Sequence, residues 1–292
     1  MYSNTACKKN CSTAPFYRMT LALCVAMLMA AGTGAAQTTG DKIVIPLSDP
    51  SRPALVKAGL IMGSITVKAY DGKEVIVEAH GRGESDNERP TKNGMHRIPM
   101  NGSGITAEED NNVVKIETES YRHPVDLLIQ VPAKTSLKLT AINDGNITVS
   151  GVDGDIEVSN NNGKIMLNNI AGSVVAHALN EKIVCSFREV NAGKAMSFSS
   201  MNGDIDVTFP ADLKANLKIR NDQGEVYSDF DVTLQAQKPE QSVQNSRDKG
   251  GKYRVRIDSH IVNGVINGGG QEIQFQNFNG NIFIRKAGAN KS

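Results

Sequence analysis

The chain has 292 residues, with 32 Lys and Arg against 31 Asp and Glu for a net charge of +1. So even a balance, with no strand-like segment that gathers Lys and Arg into a stripe, excludes an ordinary nucleic-acid binder. With no Trp and only 5% aromatic residues, the chain also lacks the stacking platforms on which sugar-cleaving enzymes generally hold their substrates.

Residues 1–18 carry Lys8, Lys9 and Arg18 and no acid, and residues 19–31 form a predominantly apolar run containing Leu21, Leu23, Val25, Met27 and Leu28. At about thirteen residues the run is short of the roughly 20 that span a bilayer, and small residues follow it, so it reads as a secretory signal peptide. Cleavage is expected after Ala36. An uncleaved anchor and lipidation at Cys24 are the competing readings, but most of the apolar run follows Cys24 instead of preceding it. Removing residues 1–36 leaves 29 basic against 31 acidic residues, a net charge of −2. It also removes Cys7, Cys11 and Cys24, so Cys185 stands alone and no internal disulfide framework is expected. Stability must then come from buried apolar surface and backbone pairing.

In chain order, residues 37–140 read as an irregular N-terminal β cap. Alternating segments at 63–68 and 74–79 flank Asp71-Gly72, which predicts a hairpin. Residues 81–104 mix Gly, Pro, Asn and both charge signs, and predict a long loop. Further strands are expected at 113–118, 126–131 and 136–140.

From residue 141 the pattern becomes periodic. Gly145, Gly154, Gly163 and Gly172 fall nine residues apart, each followed two places on by Ile or Val. Alternate residues of a strand share a face, so each inward pair marks one short strand, and nine residues hold a strand and a turn. Two steps make a coil of about 18 residues. The spacing therefore predicts a β-solenoid over 141–286, with Ile147, Ile165 and Ile183 stacked on one side and Ile156 and Val174 on the other. Val152, Ile170 and Leu179 are expected at the corners. After Phe187 the register slips by four residues, and Lys194 at the glycine position restores inward Met196 and Phe198. The strand pattern then continues to Ile284, interrupted by a polar loop at 235–251 and followed by a polar tail at 287–292. The fold class is thus all-β.

Candidate chemistry is sparse. A nine-residue glycine period invites comparison with calcium-binding repeats, but the ligand place holds Ile or Val, and Lys164 after Gly163 and Lys182 after Glu181 would repel a divalent cation. Asn162, Asn180, Asn202 and Asn279 sit beside turns, with Asp144 in the equivalent place in the first coil, and suit either a recognition row or a local ladder. His80, His96, His123, His177 and His260 show no metal-ligating spacing. Cys185 falls at an inward position and behaves as a small apolar residue. Paired carboxylates can cleave glycosidic bonds, so Asp155, Glu157, Lys164, Asp204 and Asp206 are weighed as a catalytic row. They fall at different corners. Met166, Val175 and Val184 are apolar at outward positions and predict a patch that is either covered by 81–104 or the N-terminal strands, or offered to a partner.

The succession Asp126-Leu-Leu-Ile-Gln-Val-Pro, Ser136-Leu-Lys-Leu and Asp144-Gly-Asn-Ile-Thr-Val, with Asn202-Gly-Asp-Ile-Asp-Val and Asn279-Gly-Asn-Ile-Phe-Ile, resembles the bacterial putative-adhesin family with DUF4097-type β-strand repeats. The resemblance covers most of residues 60–286. It implies architecture and carries no catalytic residues. Glu181 and Lys194 depart from its glycine positions. The expectation is an exported, non-enzymatic adhesin or cell-envelope scaffold, with no cofactor, metal or catalytic residue assigned and no membrane-spanning segment in the mature chain. Its expected partner is another envelope protein or a surface glycan, in the periplasm, at the cell surface or outside the cell. The alternatives are a carbohydrate-active β-helix enzyme and a component of an envelope-stress sensor.

Overall fold

The structure is a computed structural model that describes residues 41–82, 91–92, 95–96, 104–118, 124–235, 241–244, 254–257 and 261–288. The signal-peptide reading of residues 1–36 lies outside them. Among the described residues there is no helix, and none therefore long and apolar enough to cross a membrane. The strands form a ten-stranded and an eleven-stranded sheet, here the first and second sheets, and two short hairpins. The solenoid expectation holds: successive coils each give one strand to the second sheet and the next to the first, and neighbouring coils pair in parallel.

Register follows from which residues must be buried. On the first sheet Ile147 pairs with Ile165, Ile165 with Ile183, and Ile183 with Ile205. All four are fully buried. On the second sheet Leu137, Ile156 and Val174 form the facing row. A one-residue slip would turn a whole strand's apolar set into solvent, so these rows fix the stacking. The turns impose a second constraint. A Cβ on Gly163 would overlap the carbonyl of Gly145, and one on Gly145 would overlap that of Gly63, so the corner backbones lie directly upon one another. Close approach, with no positive φ at either position, is what demands glycine there.

The corners differ in one respect from expectation. Val152 and Ile170 are buried, but Leu179 is only half-buried and Ala178 takes the inward place, because Ala178 continues the alternation of Val174 and Ala176. The slip after Phe187 is real. Partners in neighbouring coils lie 18 residues apart at Glu157–Val175 but 22 apart at Val175–Ser197 and Ile183–Ile205, and exposed residues 191–195 return the chain to buried Met196 and Phe198. Four phenylalanines fill the core there. Phe187 stacks on Phe209 at 5.1 Å and Phe198 on Phe275 at 5.4 Å, with Phe198 edge-on to Phe187 and Phe209 at 6.4 Å.

Coils do not follow one another strictly in chain order. Along the stack the order is 113–132, 54–70, 135–150, 156–172, 174–190, 196–209, 271–286 and 215–228. One early coil and one late coil are therefore intercalated between coils that are neighbours in sequence. The strands of 54–70 and 113–132 are parallel coils of the same stack, and both sheets run without a break past residue 140.

Antiparallel strands close most of the stack's edges. Ile105–Asp110 borders the second sheet at one end, and Ile261–Ile266 with Val232–Gln235 at the other. Glu74–Gly81 and Asp41–Pro46 border the first sheet beyond Val125–Pro132. Such caps limit the unpaired backbone edge that a parallel stack presents. They also correct the hairpin expected at Asp71-Gly72: Val125–Pro132 lies between Ile65–Tyr70 and Glu74–Gly81, which do not pair with each other. Within the span read as a polar loop, Gln241–Gln244 pairs with Arg254–Ile257, and within 81–104 Thr91–Lys92 pairs with Met95–His96. The rest of both loops lies largely outside the described residues.

Candidate ligand-binding face

The outward side of the second sheet carries a shallow groove of about 600 Å³. Its floor comes from strand starts, where outward side chains of successive coils line up in rows. One row is Ser136, Asp155 and Ser173, the next Lys138, Glu157 and Val175. Pro53, Leu55, Asn111, Asn112 and Val113 form the wall at the N-terminal end of the stack. Asn112 is buried with φ +65°, its Nδ2 donating to the Asp49 carbonyl at 2.6 Å and its Oδ1 accepting from the Asp49 N–H at 2.7 Å. That wall is therefore fixed by its own hydrogen bonds.

The charged groups of the groove are tied to one another. Ser173 Oγ donates to Asp155 Oδ1 at 2.6 Å and Lys194 Nζ to Asp155 Oδ2 at 2.6 Å. The Lys194 ammonium and then the Ser173 hydroxyl hold the Asp155 carboxyl below the usual carboxylate range, against the opposing pull of partial burial. Lys138 Nζ donates to Glu157 Oε1 at 2.8 Å. Lys57 lies beside Lys138 in register, and Lys115 beside Lys57. Val175, at 48% exposure, is the apolar end of the row.

The residues weighed as a catalytic row are separated. Asp155 and Glu157 face outward on the second sheet, whereas Asp206 faces outward on the first, where Arg285 Nε donates to its Oδ1 at 2.7 Å. Asp204 Oδ1 accepts the Asn281 N–H at 2.8 Å, and the Lys164 N–H donates to Asn146 Oδ1 at 2.9 Å. The outward apolar residues are divided in the same way: Met166 pairs with Val184 on the first sheet, and Val175 stands alone on the second. No single patch contains all three.

The asparagines form a ladder. Asn162 Nδ2 donates to Asn143 Oδ1 at 2.7 Å, Asn180 to Asn162 at 2.7 Å, and Asn202 to Asn180 at 3.1 Å, with Asn279 next in register. Asn143, and not Asp144, heads it. His177 Nδ1 lies 2.8 Å from Ser199 Oγ on the second sheet, and His80 lies on the cap strand Glu74–Gly81 of the first; the other three histidines have no described side chains. Cys185 is fully buried between Leu167 and Val207, and burial pushes its thiol well up. Sequence reasoning missed Lys194 as the partner of Asp155. The only signal was its position at a vacated glycine place.

No family model matches the chain, and no curated protein matches it. Two solved structures are similar at low identity. One is a putative cell adhesion protein from Clostridium sporogenes ATCC 15579, at 12% identity over 85% of this chain and 100% of the other, with a TM-score of 0.36. The second is a putative adhesin from Bacteroides fragilis NCTC 9343, at 12% identity over 85% of this chain and 97% of the other, with a TM-score of 0.32.

Proposed function

We propose that this chain is an exported, non-catalytic β-solenoid that presents the groove of its second sheet to another envelope protein or a surface glycan. The observation that supports it is the state of the groove's charges. Asp155 is bonded to Lys194 and Ser173, which hold its carboxyl below the usual range, and Glu157 is paired with Lys138. What the shallow groove offers outward is a surface of hydroxyls and ion pairs beside exposed Val175, suited to recognition. On this reading the chain is an adhesin-type protein with DUF4097 repeats, exported by a signal peptide that is cleaved after Ala36.

The test is binding of the full chain to a glycan array and to purified envelope proteins. Val175→Lys in the groove is expected to lower the signal at least several-fold, whereas Val44→Lys, at an equally exposed place on the first sheet, leaves it unchanged. Equal signals from both variants would remove the groove from binding, and release of reducing sugar from a bound glycan would replace the scaffold by an enzyme.

A further inference from the structure

The intercalated coil at the C-terminal end points to a partner for this chain. Coil 271–286 fills a slot between coils 196–209 and 215–228, both of which precede it in the chain. The coil pairs in parallel with both walls of the slot. The rows that receive it match: Ile273 between Met196 and Leu217, Phe275 between Phe198 and Ile219, Ile282 between Ile205 and Val226. Ile273, Phe275 and Ile282 are fully buried. Polar ties repeat the arrangement, with the Asn281 N–H donating to Asp204 Oδ1 at 2.8 Å and Asn281 Oδ1 accepting the Glu225 N–H at 3.0 Å.

The coil enters through a short hinge. After Ile261–Ile266, residues 267–270 cross over the start of Ala215–Gln223, which separates that cap strand from Gln271–Asn279. Gly268 and Gly269 have φ of +82° and +88°, and no atom lies near enough to Gly268 to restrict it. Two side chains latch the crossing: Asn216 Nδ2 to the Gly270 carbonyl at 2.7 Å and Asn267 Nδ2 to the Leu213 carbonyl at 2.8 Å.

We propose that coil 271–286 is an exchangeable element and that the slot accepts the same coil from a second copy of this chain, giving a swapped dimer. Every contact within the slot is retained on exchange, because the contacts depend on the coil and the slot and not on which chain supplies the coil. Only the hinge changes, from a turn to an extended segment, which its glycines permit.

The Asp206–Arg285 pair, one partner on the slot and the other on the coil, supplies the test. Full-length Asp206→Arg and Arg285→Asp chains, one of them isotopically labelled, are unfolded, mixed, refolded and weighed by native mass spectrometry. Alone, each variant places like charges in its own slot. In a mixed swapped dimer the introduced guanidinium faces the introduced carboxylate, and the native Arg285 of one chain faces the native Asp206 of the other. The expected result is a dimer in which mixed-label species exceed the random proportion. Monomers alone, or dimers with labels distributed at random, would overturn the proposal. Light and labelled wild-type chains refolded together provide the second measurement: they are expected to give mixed dimers, and monomers alone would overturn it even if a variant fails to fold.

Discussion

Arg82 grips Asp126 with two hydrogen bonds, Nε to Oδ2 and Nη2 to Oδ1, each 2.6 Å long. The same guanidinium donates to Ser64 Oγ at 3.0 Å and to the Asp144 carbonyl at 2.9 Å. One side chain thus ties coils 113–132, 54–70 and 135–150, the three involved in the intercalation at the N-terminal end. Burial works to raise the Asp126 carboxyl, but Arg82 and the Ser64 N–H outweigh it and hold the group below its usual range.

The sign of the pH effect follows. A carboxyl whose folded value lies below its unfolded value of about 3.9 stabilises the fold above that pH, and the contribution is lost as pH falls through the folded value. Asp126 is about a third exposed, so solvent screening reduces the effect, and Arg82→Ala is expected to cost about 1 kcal/mol at neutral pH. Urea midpoints of wild type and Arg82→Ala should differ most at pH 7, and the gap should narrow as pH falls through the folded value of Asp126, leaving the share carried by the bonds to Ser64 and the Asp144 carbonyl. A gap of the same size at pH 7 and in acid would mean that the Asp126 carboxylate contributes nothing to what Arg82 does.

Ile165 is fully buried between Ile147 and Ile183. Replacing it by Ala leaves a cavity in a row whose neighbours are held by backbone pairing on both sides, at an expected cost of about 2 to 5 kcal/mol. Urea melts measure this directly, and a loss under about half a kcal/mol would be too small for a core position.

Two glycines separate close approach from conformational freedom. Gly163→Ala would push a methyl into the Gly145 carbonyl and is expected to destabilise by about 1 to 3 kcal/mol. Gly59→Ala meets nothing within 4 Å on the outward face of Ala54–Met62, and should be neutral or stabilising by up to about 1 kcal/mol. Similar thermal shifts for the two would show that the corner backbones are not in contact.

Lys194→Met removes the first cause of the lowered Asp155 carboxyl. The Asp155 titration, followed by NMR of its side-chain carboxyl carbon, should move up toward the ordinary value. An unmoved curve would leave Ser173 as the group that controls it.

Cys185 should resist maleimide in the native protein and react once the chain is unfolded, since burial keeps its thiol protonated and out of reach. Peptide mapping distinguishes it from the cysteines at 7, 11 and 24. Prompt labelling of the folded chain would place Cys185 outside the core.

Much of the central stack was legible because its information is local. The nine-residue spacing and inward pairs at Ile147, Ile156, Ile165 and Val174 specify strand, turn and face, and even the slip to Met196 follows from where large apolar residues resume. The asparagine ladder was foreseeable for the same reason, save that Asn143 heads it.

The groove was less legible. Asp155 and Lys194 are 39 residues apart, and nothing short-range joins them. Their contact depends on how exposed residues 191–195 return the chain to buried Met196 and Phe198. Likewise, Asp71-Gly72 has hairpin chemistry, but the inward faces of Leu127 and Ile129 find a better place between the two flanking strands, and tertiary pairing overrides the local turn signal.

By itself, the sequence determined an all-β stack of about 18-residue coils, because periodicity two within strands and glycine at close corners are properties of neighbouring residues. Only the tertiary structure decided the order of the coils. Apolar alternation recurs in every coil, so the local pattern does not specify which coil lies beside which. The contacts that join coils distant in sequence are long-range: the Arg82 clamp at one end, and at the other the Phe198–Phe275 stack and the crossing latched by Asn216 and Asn267.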